Sequence, residues 1–160
     1  MMLDTQVIID YTHDDFIKGI KNIVGQIKSS GEKFDYIVGL VRGGAIPAIY
    51  LSHALKLNVV MVHWSTRDRT DWSNESNCWI PEDLVAGKKI LIVDDIIDGG
   101  NTITSLLEDW KTSVRDIIPQ ENIKIAALHY NPNQTIKADF YDQIVDRSED
   151  SRWVTYEWES

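Results

Sequence analysis

The segment Ile90-Leu91-Ile92-Val93-Asp94-Asp95-Ile96-Ile97-Asp98-Gly99-Gly100-Asn101-Thr102 joins an apolar run to three acids and a glycine pair. The run Ile90 to Val93 predicts a buried strand that ends at Asp94-Asp95. Three carboxylates within five residues repel one another, and a hydrophobic core has no use for them. They suit ligand hydroxyls or a divalent metal. The segment from Asp98 to Thr102 supplies a turn of backbone N–H groups and a hydroxyl at the start of a helix predicted over 102–114, which is the chemistry of a phosphate cradle. Acids beside such a cradle point to a sugar phosphate, which carries hydroxyls and phosphate on one molecule. The bland alternative is a solvated turn with a helix N-cap.

Upstream, Tyr36 to Val41 predicts a second buried strand. It runs into Arg42-Gly43-Gly44 and a helix over about 45–56. Paired glycines let backbone N–H groups come close to an anion, and Arg42 adds a charge-assisted contact. Phe16, Ile17, Ile20, Ile23, Val24 and Ile27 recur at helical spacing, and Thr12 with Asp15 resembles a capping box, so a helix is predicted over 12–29. Asn58 to Trp64 and Ile123 to Leu128 read as strands, with weaker candidates at 140–145 and 154–158. The polar stretch 65–77 carries Arg67, Asp68, Arg69, Asp71 and Glu75 and reads as a long loop of the kind that forms lids. Strands and helices alternate, which predicts an α/β fold with a mainly parallel sheet flanked by helices. Ligands bind such sheets at the carboxyl ends of the strands, where both glycine turns fall.

The chain has 160 residues, with 25 acidic against 16 basic side chains and a net charge of −9. That length fits one domain spanning 1–160. The acidity argues against a protein that coats nucleic acid through its bulk field. No apolar run is long enough for a membrane helix, and the acidic start lacks the pattern of a signal peptide. The expectation is a cytoplasmic domain with no nucleic-acid or membrane partner. The one cysteine, Cys78, cannot form an internal disulfide, and no zinc-binding spacing occurs.

The thirteen-residue segment closely resembles the phosphoribosyl pyrophosphate motif of type I phosphoribosyltransferases, with Gly99 where Thr is usual. Arg42-Gly43-Gly44 lies where that family places its pyrophosphate loop, and the likeness covers nearly the whole chain. It is greatest to the xanthine-guanine and hypoxanthine-guanine enzymes, carried by Ile144-Val145-Asp146 and Trp153-Val154-Thr155-Tyr156-Glu157-Trp158-Glu159. The resemblance implies the type I phosphoribosyltransferase fold with a small base-binding hood from the chain ends. It also implies transfer of a phosphoribosyl group to a 6-oxopurine in nucleotide salvage, with Mg²⁺ as cofactor and a homo-oligomeric assembly. By position, Asp94 and Asp95 would hold ribose hydroxyls directly or through the metal. Gly99, Gly100, Asn101 and Thr102 would hold the 5-phosphate, and Arg42, Gly43 and Gly44 the pyrophosphate. Asp98 would be the general base. Trp153 would stack on the base, while the Val154 backbone and Glu159, in place of the usual Asp, would meet its edge. Asn131 stands where these enzymes use a Lys; an amide donates a hydrogen bond but brings no charge, which leaves a transferase for a non-purine acceptor as an alternative. Arg67 and Arg69 would reach the pyrophosphate from the lid.

Two other classes compete. A response-regulator receiver also starts from a strand like Ile90 to Asp95, but there the acids come near the start of the domain, and the strand 123–128 here ends in His129-Tyr130 without an Asp. A non-catalytic regulator that senses phosphoribosyl pyrophosphate would keep the phosphate cradle and lose base-site residues; Asn131 permits that reading, whereas Asp98, Trp153 and Glu159 oppose it. The histidines His53, His63 and His129 lack metal-ligand spacing and read as structural. Trp64, Trp72, Trp79 and Trp110 read as core or interface.

Overall fold

The computed structural model describes residues 8–64 and 79–159. The expected lid 65–77, with Arg67 and Arg69, lies outside them, as does Cys78. Strands β2 (Tyr36–Val41), β3 (Asn58–His63), β4 (Ile90–Ile97), β5 (Ile123–Tyr130) and β6 (Phe140–Ile144) form one sheet in the order β3-β2-β4-β5-β6. Every neighbouring pair in it is parallel. A second, two-stranded parallel sheet pairs β1 (Ile8–Tyr11) with β7 (Trp153–Tyr156), in the register Ile8 to Trp153 and Tyr11 to Tyr156. This small sheet is the hood built from the two ends of the described chain.

The period-2 alternation of the strands divides the core in two. Tyr36, Val38, Leu40, Ile90 and Ile92 face one layer with Leu106 and Trp110 of helix α4 (Asn101–Val114) and Ile80 and Leu84 of helix α3 (Trp79–Val85). Ile37, Leu91 and Val93 face the other, with Phe16, Ile20, Ile23 and Ile27 of helix α1 (His13–Ser30) and Ala48 and Leu51 of helix α2 (Ala45–Leu55). Each large apolar side chain buried this way contributes about 1.5–3 kcal/mol. Tyr11, Val154 and Tyr156 of the hood belong to this second layer, so the hood packs on the α1 side of the sheet.

Helix α1 begins as its sequence predicts. The Thr12 hydroxyl accepts from the Asp15 N–H at 3.2 Å and the Asp15 carboxylate accepts from the Thr12 N–H at 3.0 Å. Gly31 ends the helix in the left-handed conformation at φ 75°.

Two expectations shift. Strand β4 does not stop at Asp94-Asp95 but continues to Ile97, with Ile96 and Ile97 registered on His129 and Tyr130 of β5. Parallel pairing with β5 carries the acids inside the sheet. Helix α3 and strand β1 carry no predicted element, because seven and four residues are too short to show a period.

Candidate active site

The chain leaves β2 to one side through α2 and β3, then returns to the other side as β4, so the order of connections reverses between β2 and β4. At that point both glycine turns follow neighbouring parallel strands, and the turn after β2 packs on β4. A Cβ on Gly43 would collide with the Asp95 carboxylate, and one on Gly44 with the Val93 and Leu40 carbonyl oxygens. Only glycine lets β2's turn sit this close to β4. The Val41–Arg42 peptide bond there is cis.

The two helices that start at this edge differ from α1 at their N-termini. Gly44 caps α2 and Gly100 caps α4, the latter at φ 74°, and neither offers a side-chain hydrogen bond. Neither first turn carries an acid, whereas α1 has a complete capping box and both Asp14 and Asp15. Helix starts without side-chain caps leave N–H groups to be satisfied by other partners, and the helix dipole favours an anion there. The structure thus brings together Arg42, Gly43 and Gly44 with Asp94, Asp95, Asp98, Gly99, Gly100, Asn101 and Thr102 around one strand-end crevice.

Asp95 is only 7 % exposed. Burial raises its pKa, against hydrogen bonding shared with the Asp94 side chain, the Ile96 N–H and hydrogen bonding shared with the Glu159 side chain. Its Oδ1 accepts from the Ile96 N–H at 2.7 Å, and its own N–H donates to Asp94 Oδ1 at 2.9 Å. Glu159, in the short 3₁₀ turn Glu157–Glu159 after β7, therefore reaches back to the acids of β4. Among the described residues no set of three His, Cys, Asp or Glu side chains is arranged to hold a metal alone. The donors present fit Mg²⁺ all the same, since that ion takes one or two hard carboxylate oxygens and completes its shell with water and ligand phosphates.

Behind the acids runs a buried relay that the sequence reading leaves out. The Tyr156 hydroxyl donates to the Asp95 carbonyl at 3.2 Å and contacts His129 Nδ1 at 2.7 Å. A carbonyl only accepts, so the hydroxyl proton points to Asp95 and His129 Nδ1–H donates to Tyr156. His129 is fully buried, its Nε2 without a hydrogen-bond partner, and burial lowers its pKa to about 4. It is structural, as expected, and ties the hood to β4.

Asp98 closes the turn. Its Oδ1 accepts from Asn131 Nδ2 at 3.3 Å and its Oδ2 from Arg147 Nε at 3.0 Å. Asn131 follows β5 directly, and its N–H donates to the Ile97 carbonyl at 2.8 Å. Arg147, between β6 and β7, is a partner of Asp98 that sequence reasoning missed; no spacing or motif marks it. Trp153 opens β7 with 43 % of its surface exposed, while Val154 beside it is buried. Trp110 is buried in the core and Trp64 donates from Nε1 to the Ser105 hydroxyl at 3.2 Å, both as expected.

Residues 11–160 match the phosphoribosyl transferase domain model. The chain belongs to this family, and it is a phosphoribosyltransferase. Its relatives refine the class. It is 28 % identical over 132 residues to xanthine-guanine phosphoribosyltransferase of Idiomarina loihiensis, covering 80 % of this chain and 73 % of that one. Among solved structures, purine phosphoribosyltransferase of Pyrococcus horikoshii superposes with a TM-score of 0.65 at 25 % identity, covering 95 % of this chain and 94 % of that one. A Neisseria gonorrhoeae protein solved with bound ppGpp has the same fold, with a TM-score of 0.72 at 24 % identity, covering 99 % of this chain and 92 % of that one. No helix among the described residues is long and apolar enough to cross a membrane.

Proposed function

We propose that the protein transfers the 5-phosphoribosyl group from phosphoribosyl pyrophosphate to a ring nitrogen of a 6-oxopurine, xanthine, guanine or hypoxanthine, and releases pyrophosphate, in purine salvage. The observation that carries this reading is that two glycine-capped helix N-termini without side-chain caps follow neighbouring parallel strands, with Asp94, Asp95 and Asp98 on or just after the second of them and Gly43 packed against Asp95. The α4 cradle, Gly99 to Thr102, holds the 5-phosphate, and Arg42, Gly43 and Gly44 hold the pyrophosphate. Asp94 and Asp95 hold the ribose hydroxyls and would be the ligands of Mg²⁺, which when bound offsets the charge of the pyrophosphate. Trp153 stacks on the base, with the Val154 backbone and Glu159 along its polar edge and Asn131 behind Asp98.

The base nitrogen displaces pyrophosphate at the anomeric carbon. The protein's part is to hold the two reactants in line and stabilise charge on the leaving group. Asp98 accepts the proton that the attacking ring gives up.

An assay with Mg²⁺, phosphoribosyl pyrophosphate and a panel of xanthine, guanine, hypoxanthine, adenine, uracil and orotate tests the reading. Nucleotide is expected from the 6-oxopurines. Phosphoribosyl pyrophosphate binding without product from any base would make the protein a regulator; product from uracil or orotate alone would move the acceptor out of the purines. Replacing Trp153 by Ala is expected to weaken base binding about 10-fold, the scale of one base–aromatic stack. Phosphoribosyl pyrophosphate affinity should stay within about twofold, because the cradle lies on the other strand ends. Calorimetric titration of both ligands checks this, and an equal loss of both contradicts the stacking role.

A further inference from the structure

Asp98 receives its two hydrogen bonds from side chains of very different reach. Asn131 is 2 % exposed and its amide is used twice: Nδ2 donates to Asp98 and Oδ1 accepts from the Asn133 N–H at 3.3 Å. Its burial, rather than its hydrogen-bonding capacity, keeps that amide from meeting a ligand directly. The Arg147 side chain keeps 21 % of its surface exposed. Its Nη1 is fixed on two main-chain oxygens, those of Asp150 at 3.4 Å and of Arg152, the residue just before Trp153. Its Nε is fixed on Asp98. Among the described residues its Nη2 makes no hydrogen bond. Arg147 is thus a guanidinium held at two corners, with a free N–H donor beside a carboxylate acceptor, on the loop that leads into the aromatic strand.

Paired donor and acceptor groups read paired acceptor and donor edges. A 6-oxopurine protonated at N7 presents an N–H donor next to the O6 acceptor, which matches Asp98 beside Arg147. A 6-aminopurine presents an N–H beside an NH₂, so its amine would face the guanidinium donor to donor. We propose that Arg147 is the residue that selects a 6-oxo over a 6-amino base, while Asn131 acts through Asp98 as a positioning residue. This rests on the transferase reading above and assigns its specificity.

The test is steady-state kinetics of the wild type, Arg147→Ala and Arg147→Lys with hypoxanthine as substrate, adenine as competitive inhibitor, and phosphoribosyl pyrophosphate varied separately. In the alanine variant the KM for hypoxanthine is expected to rise about 10- to 100-fold, the scale of a hydrogen bond from a charged group. The adenine inhibition constant should hold or fall, and the phosphoribosyl pyrophosphate KM should rise less than the hypoxanthine KM, since Arg147 touches the Asp98 carboxylate and none of the donors at Gly99 to Thr102. The lysine variant, which keeps charge but loses the fixed fork, should fall between. Comparing two bases on one sample makes the ratio independent of how much of the variant is folded. Equal weakening of hypoxanthine and adenine, or no change in either, overturns the inference. If the wild type makes no nucleotide from any 6-oxopurine, the transferase reading itself fails and takes this one with it; an active wild type with an unchanged ratio in Arg147→Ala removes this one alone.

Discussion

Replacing Asp98 by Asn is expected to lower turnover about 100- to 10,000-fold, the range that a positioned general base contributes. The substitution is nearly isosteric. Its amide oxygen still accepts from Arg147, and the longer 3.3 Å bond from Asn131 is given up, while the main-chain donors of the phosphate cradle stay in place. The lost property is the ability to take a proton. Phosphoribosyl pyrophosphate affinity should therefore change little while kcat collapses, a split that shows an interaction made only in the transition state. Nucleotide formation followed spectrophotometrically, with calorimetric titration of phosphoribosyl pyrophosphate, separates the two. Unchanged turnover removes Asp98 as the base; a parallel loss of binding makes it a scaffold residue.

Acid is expected to weaken the folded state through His129. The fold holds this imidazole neutral in the core and lowers its pKa from 6.5 to about 4, burial being the main cause. Asp142 and Asp15 oppose that shift and Arg147 adds to it. Tyr11 and Tyr156 cover the ring edge-on at 4.7 and 5.5 Å. Between those two pH values the unfolded chain binds a proton that the folded chain does not. Stability from this group is therefore complete above about pH 6.5 and is lost as pH falls toward about 4, by about 3 kcal/mol in all. Urea unfolding of the wild type and His129→Gln across pH 4–7 reads the difference. Glutamine keeps an N–H for Tyr156 and does not titrate, so its curve should be flatter by that amount. Parallel curves would show that the imidazole is not the source.

The parts legible in the sequence are those where local chemistry and tertiary structure agree. The capping box at Thr12 and Asp15, the alternating strands β2 and β4, and the glycine turns at 43–44 and 99–100 each announce themselves within a few residues. The acids at 94, 95 and 98 stood out in the sequence because a hydrophobic core has no use for three carboxylates within five residues. Strand β4 ran past its expected end because a charge inside a strand reads as an exit, and only the partner β5 shows that pairing continues. Arg147 escaped notice because its partner Asp98 lies 49 residues away. The Tyr156 link from His129 to the Asp95 carbonyl spans 61 residues and was equally invisible. Long-range pairs of single polar side chains leave no period and no motif.

The pairing of β1 with β7 also sets an order in time. The elements β2, α2, β4 and α4, on which the proposed phosphate and ribose groups lie, fall between residues 36 and 114. The hood joins residues such as Ile9 and Thr155 across 146 positions, a contact of the slowest-forming kind. During synthesis β1 leaves the ribosome first and waits, unpaired, until β7 follows. A nascent chain thus has the glycine turns and the acids of β4 in hand well before the small sheet of β1 and β7 can close.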